Sequence, residues 1–475
     1  MPESLERQIY LLSPRSLSPE TIAVTFAKTS RSPLSFREIA GELSDEQSAK
    51  FHEKWVVGYG HSSVAEHAVL HIAFENVSRL AIESIESNRL ASYTEKSTRY
   101  QRWEPGGYHV PVELKEVPEL EKLYRQTCDL LFETYAETLG PVRKVVERGT
   151  PPREGESQEK WDARIRSRYV DACRFLLPVS ALANVGMTAN ARVLEHAIRK
   201  MLSHPLAEVR QIGQEVKSVA TAEAPTLLKY AAERPFLRII HATTYPPIHD
   251  LAADCSDDWL DLLAHDPQGE SRVLAAAIYA QAPCSFREAL THVQALDPED
   301  RDSLAEAVLG GRERFDVPPR CLEHAYYTFE ARIDQGGYLE VKRHRMMTQT
   351  PQRLTPSLGY ALPKILVDAG CEASFRRAMQ QVVSAYARLA EWNPDVAAYA
   401  VPNAFNRRLT MTLNLREAFH FCELRSAPNA HFSLRRLALR MAQMIRSVHP
   451  TLAGYMRLTE DVDWRRIEAD HFAQT

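Results

Sequence analysis

The chain repeats itself. Ser35-Phe36-Arg37-Glu38 returns as Ser285-Phe286-Arg287-Glu288, displaced by 250 residues, and Glu66-His67-Ala68 returns as Glu323-His324-Ala325, displaced by 257. Pro178, Asn190 and Arg192 return as Pro402, Asn414 and Arg416, each displaced by 224. Matches that keep their order imply one structural unit present twice, which constrains the architecture more than any local pattern does. Unequal displacements require unequal insertions. The first copy has the longer middle, and the polar stretch at residues 150–158 reads as one such insertion, a surface loop. The copies are placed at residues 1–233 and 234–475. Their boundary falls near residues 232–237, where a helical pattern gives way to an apolar run of strand character at residues 236–241.

Residues 191–219 and 413–445 show helical periodicity, whereas residues 71–74 and 326–330 read as extended, so an α+β layering is expected. Residues 297–306 read as a helix with a solvated face. At 475 residues with 44% apolar and 25% charged side chains, the chain has enough apolar surface for ordinary cores, which excludes a disordered chain. Its 58 basic and 62 acidic residues leave a net charge of −4, so no broad basic field marks it for nucleic acid or an anionic membrane. Seven cysteines without framework spacing fit a reducing cytoplasm, most of them as core filler. The start, Met1 to Glu6, lacks a basic-then-apolar layout, and no apolar run approaches the roughly 18 to 20 residues that span a bilayer. A soluble cytoplasmic protein is expected.

Two polar constellations stand out. In the first copy, Ser92-Tyr93-Thr94-Glu95-Lys96-Ser97-Thr98-Arg99-Tyr100 lies between Arg89 and Arg102. Guanidinium groups grip phosphate in a fork, a serine donates, and a glutamate orients hydroxyl or amide groups, so the set suits a phosphorylated sugar; it suits an exposed, salt-linked helix end as well. In the second copy, Lys342-Arg343-His344-Arg345 follows Gly336-Gly337, and such a cluster binds an anionic cofactor or sits in water. Downstream, Asn414 and Arg425 lie eleven residues apart, about three helical turns, and so face nearly the same direction.

These motifs resemble the flavin-dependent thymidylate synthases. The resemblance rests on Gly60-His61-Ser62-Ser63-Val64-Ala65-Glu66-His67, on Val77-Ser78-Arg79, and on the Ser92 to Tyr100 segment. It rests also on Arg343-His344-Arg345 with Thr348 after two intervening residues, and on the Asn414-x-Arg416 segment ending in Leu424-Arg425. It covers nearly the whole chain as two tandem copies. It implies an α+β fold, a small mixed sheet packed with long helices, with the two copies forming a pseudo-dimer. It further implies FAD and dUMP at sites shared between subunits, and a one-carbon unit taken from methylenetetrahydrofolate and reduced by a flavin hydride to make dTMP. NADPH recharges the flavin. No cysteine nucleophile is needed, since an arginine against the uracil stabilises the charge that develops there. By analogy with the family homotetramer, a two-copy chain is expected to form a homodimer.

Carried over by position, the resemblance assigns Glu95, Ser97, Arg99, Arg174, Arg343 and Arg425 to the substrate, Arg425 being catalytic. It assigns Ser63, Glu66, Arg343, His344, Arg345, Asn414, Arg416 and His420 to the flavin, and no metal is implied. The copies depart from the pattern in complementary ways. Copy one reads Ser87-Asn88-Arg89 where Arg-His-Arg is expected, and Met201 stands at the uracil-facing position, with Arg199 or Lys200 as the available stand-ins. Copy two lacks the Glu and Ser of the nucleotide loop, between Gln349 and Leu354, and has Ala398 in place of the phosphate arginine. One composite site is therefore expected, with the phosphate loop from copy one and the flavin cluster and Arg425 from copy two.

Two other readings stay open: a family-derived scaffold or nucleotide or flavin sensor without catalysis, and an enzyme that releases a hydroxymethylated pyrimidine nucleotide. Cys321-Leu322-Glu323-His324 has zinc-like spacing but no second pair, and Gly310-Gly311 and Gly336-Gly337 read as turns. The Glu-His pairs at 66 and 323 suit a titrating role or a buried hydrogen-bonded pair.

Overall fold

The repeated tetrapeptide starts a helix in both places. Ser35 Oγ accepts from the Glu38 amide at 3.3 Å and Glu38 accepts from the Ser35 amide at 2.8 Å, opening the helix Phe36–Glu42. Ser285 and Glu288 repeat this at 3.3 and 2.8 Å before the helix Phe286–Ala295. Each cap occupies two amides that a helix start leaves open, worth about 1 kcal/mol. The structure, a computed structural model, describes residues 7–58, 62–242, 258–458 and 463–473. Gly60, His61 and Cys255 lie outside them.

The fold is mixed helix and sheet. It divides into two compact units, and the division does not run at residue 233. Unit one takes Met1–Lys96, His109–Glu116 and Leu182–Ile248; unit two takes Ser97–Tyr108, Val117–Ala181 and His249–Thr475. The residues from Ser97 to Tyr108 and the helices Pro118–Gly149 and Gln158–Cys173, which belong to copy one by sequence, are thus part of unit two.

Unit one has a sheet of β1 (Val69–Ser78), β2 (Ala91–Glu95) and β3 (Leu182–Asn190) in the order β1-β3-β2. Unit two has β4 (Leu260–His265), β5 (Tyr326–Asp334), β6 (Thr348–Pro351) and β7 (Asn406–Asn414) in the order β4-β5-β7-β6. All pairings are antiparallel, so the sheets are not mixed. The register repeats with the sequence: Val69 faces Asn190 in one sheet and Tyr326 faces Asn414 in the other. Alternate β7 residues are buried, and Phe329, Met411, Phe421 and Leu437 join one core.

Within unit two the copies meet at the repeated prolines. Pro178 and Pro402 form an antiparallel bridge. The Val179 amide donates to the Val401 carbonyl at 3.0 Å, and Asn403 donates to Leu177 at 3.0 Å. Ser180 donates to Tyr399 at 3.1 Å, and Ala404 to Phe175 at 2.9 Å. Adding 224 to one partner of each bond gives the matching partner of its mate, so these segments are related by a local twofold.

Three expectations need correction. Residues 236–241 lie in a helix, Pro235–Ala242, because Pro235 presets the first turn and Phe236, Ile239 and Ile240 share helical spacing. Residues 191–219 form two helices, Ala191–Leu202 and Ala207–Glu223, broken before Pro205. Residues 413–445 begin as the end of β7, continue as the helix Leu415–Ser426, and resume at Phe432–Val448 past Pro428. The expected strands at 71–74 and 326–330 lie inside β1 and β5, and 297–306 lies in the helix Pro298–Leu309. Residues 151–155 are exposed, with Gly155 at a φ of 71° that an L side chain rarely adopts.

Candidate functional site

In unit two, arginines from both copies converge. Arg99 follows β2 in a turn where Ser97 Oγ accepts from its amide at 3.2 Å. Its Nε lies 2.9 Å from both carboxylate oxygens of Asp171, and its Nη2 donates to the Asn429 carbonyl at 3.0 Å. Asp171 occupies the last turn of the helix Gln158–Cys173, three residues before Arg174. Arg174 is buried, and its Nη1 donates to Thr98 Oγ1 at 3.1 Å. The Asn403 side-chain amide donates to the Arg174 carbonyl at 3.0 Å, anchoring that backbone.

The second copy supplies the other wall. The helix Gln335–Val341, capped by Asp334 at the Gly337 amide (2.7 Å), ends with Glu340 buried and leads to exposed Arg343, buried His344 and half-buried Arg345. Glu340 lies 3.5 Å from Arg174 Nη2 and 3.0 Å from Arg425 Nη1. Burial pushes its carboxyl up, but Arg174, Arg99, Arg425 and Arg343 pull harder, and the net is below the usual carboxylate range.

Arg425 also donates through Nε to His344 Nε2 at 2.9 Å, and His344 Nδ1 lies 3.1 Å from Glu417. Burial, opposed by Glu417 and assisted by Arg425, holds His344 below its ordinary value. Burial likewise lowers Arg425, against the pull of Glu340. The exposed His420 ring is centred 5.4 Å from that of His344.

Ser97, Arg99, Arg174, Arg343, His344, Arg345, His420 and Arg425 therefore share unit two. Asn414 and Arg416 are at the other end of their helix, about 16 and about 14 Å from Arg425 at 1.5 Å per residue, so one small group cannot bridge them. Asn414 caps that helix at the Glu417 amide (2.9 Å), and Arg416 pairs with Glu323 at 2.8 Å. Asp171, Glu340 and Glu417 were missed from sequence. The signal available was spacing, since Asp171 and Glu340 each precede an assigned arginine by three residues.

Glu95, Ser63 and Glu66 belong to unit one. The Glu95 side chain is buried 3.1 Å from Arg79, a structural ion pair. Glu66 is exposed and pairs with Arg192, the counterpart of Glu323 with Arg416. Ser63 lines a cavity of about 550 Å³ with Phe26, Phe51, Trp55, Lys28 and Arg31. Its counterpart in unit two is about 1170 Å³, with Ala276 where the first copy has Phe26. Of the two stand-ins for the missing arginine, Arg199 pairs with Glu195, while Lys200 donates to Ser87 and to Asn88, the counterparts of Arg343 and His344. Among the described residues, no three His, Cys, Asp or Glu side chains are grouped as metal ligands, and no helix is long and apolar enough to cross a membrane.

A family model described as "Thymidylate synthase complementing protein" matches residues 12–226 and again 261–451. The chain is 30% identical over 438 residues to a UPF0159 protein of Chlamydia muridarum, covering 88% of this chain and 82% of that one. It is 27% identical over 216 residues to a flavin-dependent thymidylate synthase of Clostridium tetani, covering 45% of this chain and 82% of the synthase. Among solved structures, a flavin-dependent thymidylate synthase of Helicobacter pylori complexed with FAD and dUMP aligns over 42% of this chain and 100% of its own, with 20% identity and a TM-score of 0.32.

Proposed function

The chain belongs to the thymidylate synthase complementing protein family, carried as two copies, and on that footing we propose that it is an FAD-dependent thymidylate synthase. It makes dTMP from dUMP with methylenetetrahydrofolate at one composite site. The observation that carries this reading is the convergence of Arg99 and Arg174 from the first copy with Arg425 from the second within unit two.

In this reading Arg174 and Arg99 hold the 5′-phosphate, with the Ser97 hydroxyl as a donor. Arg425 faces the base. Its guanidinium is oriented by His344 and Glu340 before substrate arrives, and charge aimed in advance at a developing oxyanion needs no reorganisation when the reaction occurs. Arg425 stays protonated and acts by its field, with no proton transferred.

The donor set fits a flavin dinucleotide. Arg343, Arg345 and His420 offer cations and an imidazole at the surface of unit two. Those residues would hold FAD, which supplies a hydride for reducing the one-carbon unit and is recharged by NADPH.

The test is anaerobic mixing of reduced, flavin-loaded protein with dUMP and methylenetetrahydrofolate, with identification of the nucleotide formed. dTMP with flavin oxidation is expected. A hydroxymethylated nucleotide would change the product assigned, and neither product nor flavin oxidation would leave a nucleotide or flavin sensor.

A further inference from the structure

Glu340 is the carboxylate shared by both ends of the proposed nucleotide grip. One oxygen lies 3.5 Å from Arg174 Nη2, on the phosphate side, and the other 3.0 Å from Arg425 Nη1, on the base side. The two contacts differ in strength. Arg425 is held at good hydrogen-bond length and also by His344 at 2.9 Å. Arg174 is held loosely: Nη2 reaches Glu340 only at 3.5 Å and the Gly336 carbonyl at 3.4 Å. Its Nε, buried, has no hydrogen-bond partner among the described residues, since Asp171 stands 3.8 Å away. A buried guanidinium with donors to spare is poised for an acceptor.

The charges can be counted. Arg99, Arg174, Arg343 and Arg425 bring four positive charges around Glu340, and Asp171, paired with Arg99 at 2.8 Å, is the second carboxylate of the cluster. Positive charge is therefore in excess around Glu340. A phosphomonoester carries about −1.5 to −2 at neutral pH and can take up that excess. A diphosphate or triphosphate would bring further negative charge toward a carboxylate held below its usual range, and like charges so placed repel.

We propose that Glu340 is a built-in counter-ion that sets the ligand class of this site: it fits the grip to a nucleoside monophosphate and rejects di- and triphosphates. When the site is empty it stands as a loose partner of Arg174 Nη2 at 3.5 Å, and an arriving phosphate takes its place there while its bond to Arg425 persists. It is a positioning and specificity residue, and this assignment rests on reading the cluster as the nucleotide site.

Calorimetric titration of the full-length chain tests it. Glu340→Gln keeps the shape and a hydrogen bond but loses the charge; it is expected to bind inorganic phosphate about tenfold tighter than the wild type and to gain more for pyrophosphate. Glu340→Asp, which keeps the charge, is expected to retain the wild-type preference. A Gln variant that binds phosphate no tighter, or an Asp variant that tightens as much as Gln, overturns the proposal. Should the Gln variant not fold, the wild type decides: dUMP must bind more tightly than dUTP, and equal or reversed affinities overturn the idea. Failure of the dUMP reading looks different, because both proteins would then bind inorganic phosphate, with the Gln variant tighter, while dUMP would not bind.

Discussion

Arg425 donates through Nε to Nε2 of His344 at 2.9 Å, and that bond decides the tautomer of the histidine. Arginine has no acceptor, so Nε2 must accept and the ring proton lies on Nδ1, facing Glu417 at 3.1 Å. A neutral histidine agrees with the downward pull of burial on its basicity. The chain Glu417–His344–Arg425–Glu340 is thus ordered by donor chemistry, and it holds Arg425, the group proposed to face the base, from both sides.

Arg425→Ala is expected to lower dTMP formation in single turnovers by about a hundredfold or more, the usual range for removing one charge-stabilising donor. Arg425→Lys should recover little, because an ammonium cannot bond His344 and Glu340 in the guanidinium geometry. Full synthesis by the alanine variant would remove the composite site.

Ser97→Ala acts at the phosphate end, on the other copy. It should raise the KM for dUMP more than it lowers kcat, in contrast to Arg425→Ala, which should act mainly on kcat. Equal and complete activity of this variant would show that the first copy contributes no phosphate loop.

Glu95→Ala should register as stability. The pair with Arg79 is buried, with side-chain exposures of 3% and 1%, and breaking such a pair from one side costs about 3 to 5 kcal/mol. The double variant Arg79→Met with Glu95→Leu should recover much of the lost thermal midpoint, which calorimetry would read. A single variant as stable as the wild type would contradict the pairing.

Stability should fall as pH drops below about 6.5, the unperturbed histidine value. Burial lowers His52, His344, His431 and His449 alike, so the folded state binds fewer protons than the unfolded chain between their folded and unfolded values. Their contribution is complete above the unfolded value and is lost as pH falls through the folded values. His431→Asn keeps an acceptor for the Ser433 amide, which His431 now holds at 3.2 Å, but cannot titrate. Its thermal midpoint should decline less between pH 7 and 5 than that of the wild type. The comparison separates His431 from Asp334 and Glu270, which burial moves upward. Parallel declines would exclude a contribution from His431.

Much of the architecture was legible because it repeats. Ser35 and Ser285 recur because each caps a helix, Asn190 and Asn414 because each caps the helix after a strand, and Pro178 and Pro402 because they face each other. Such residues satisfy local backbone geometry, and local geometry is written in adjacent positions. The run at 236–241 misled because β-branched residues suit strands on average, while Pro235 and helical spacing prevailed here.

The chain's order of residues determined the two copies, their helix starts and strand registers, and which half keeps which arginines. Tertiary structure alone decided that a first-copy segment joins the second copy in unit two, and that Glu340 and Asp171 stand among the arginines. The reason is physical: a buried charge takes its partner from whatever folding brings within about 4 Å, and Arg174 and Glu340, 166 residues apart, have no spacing rule to link them.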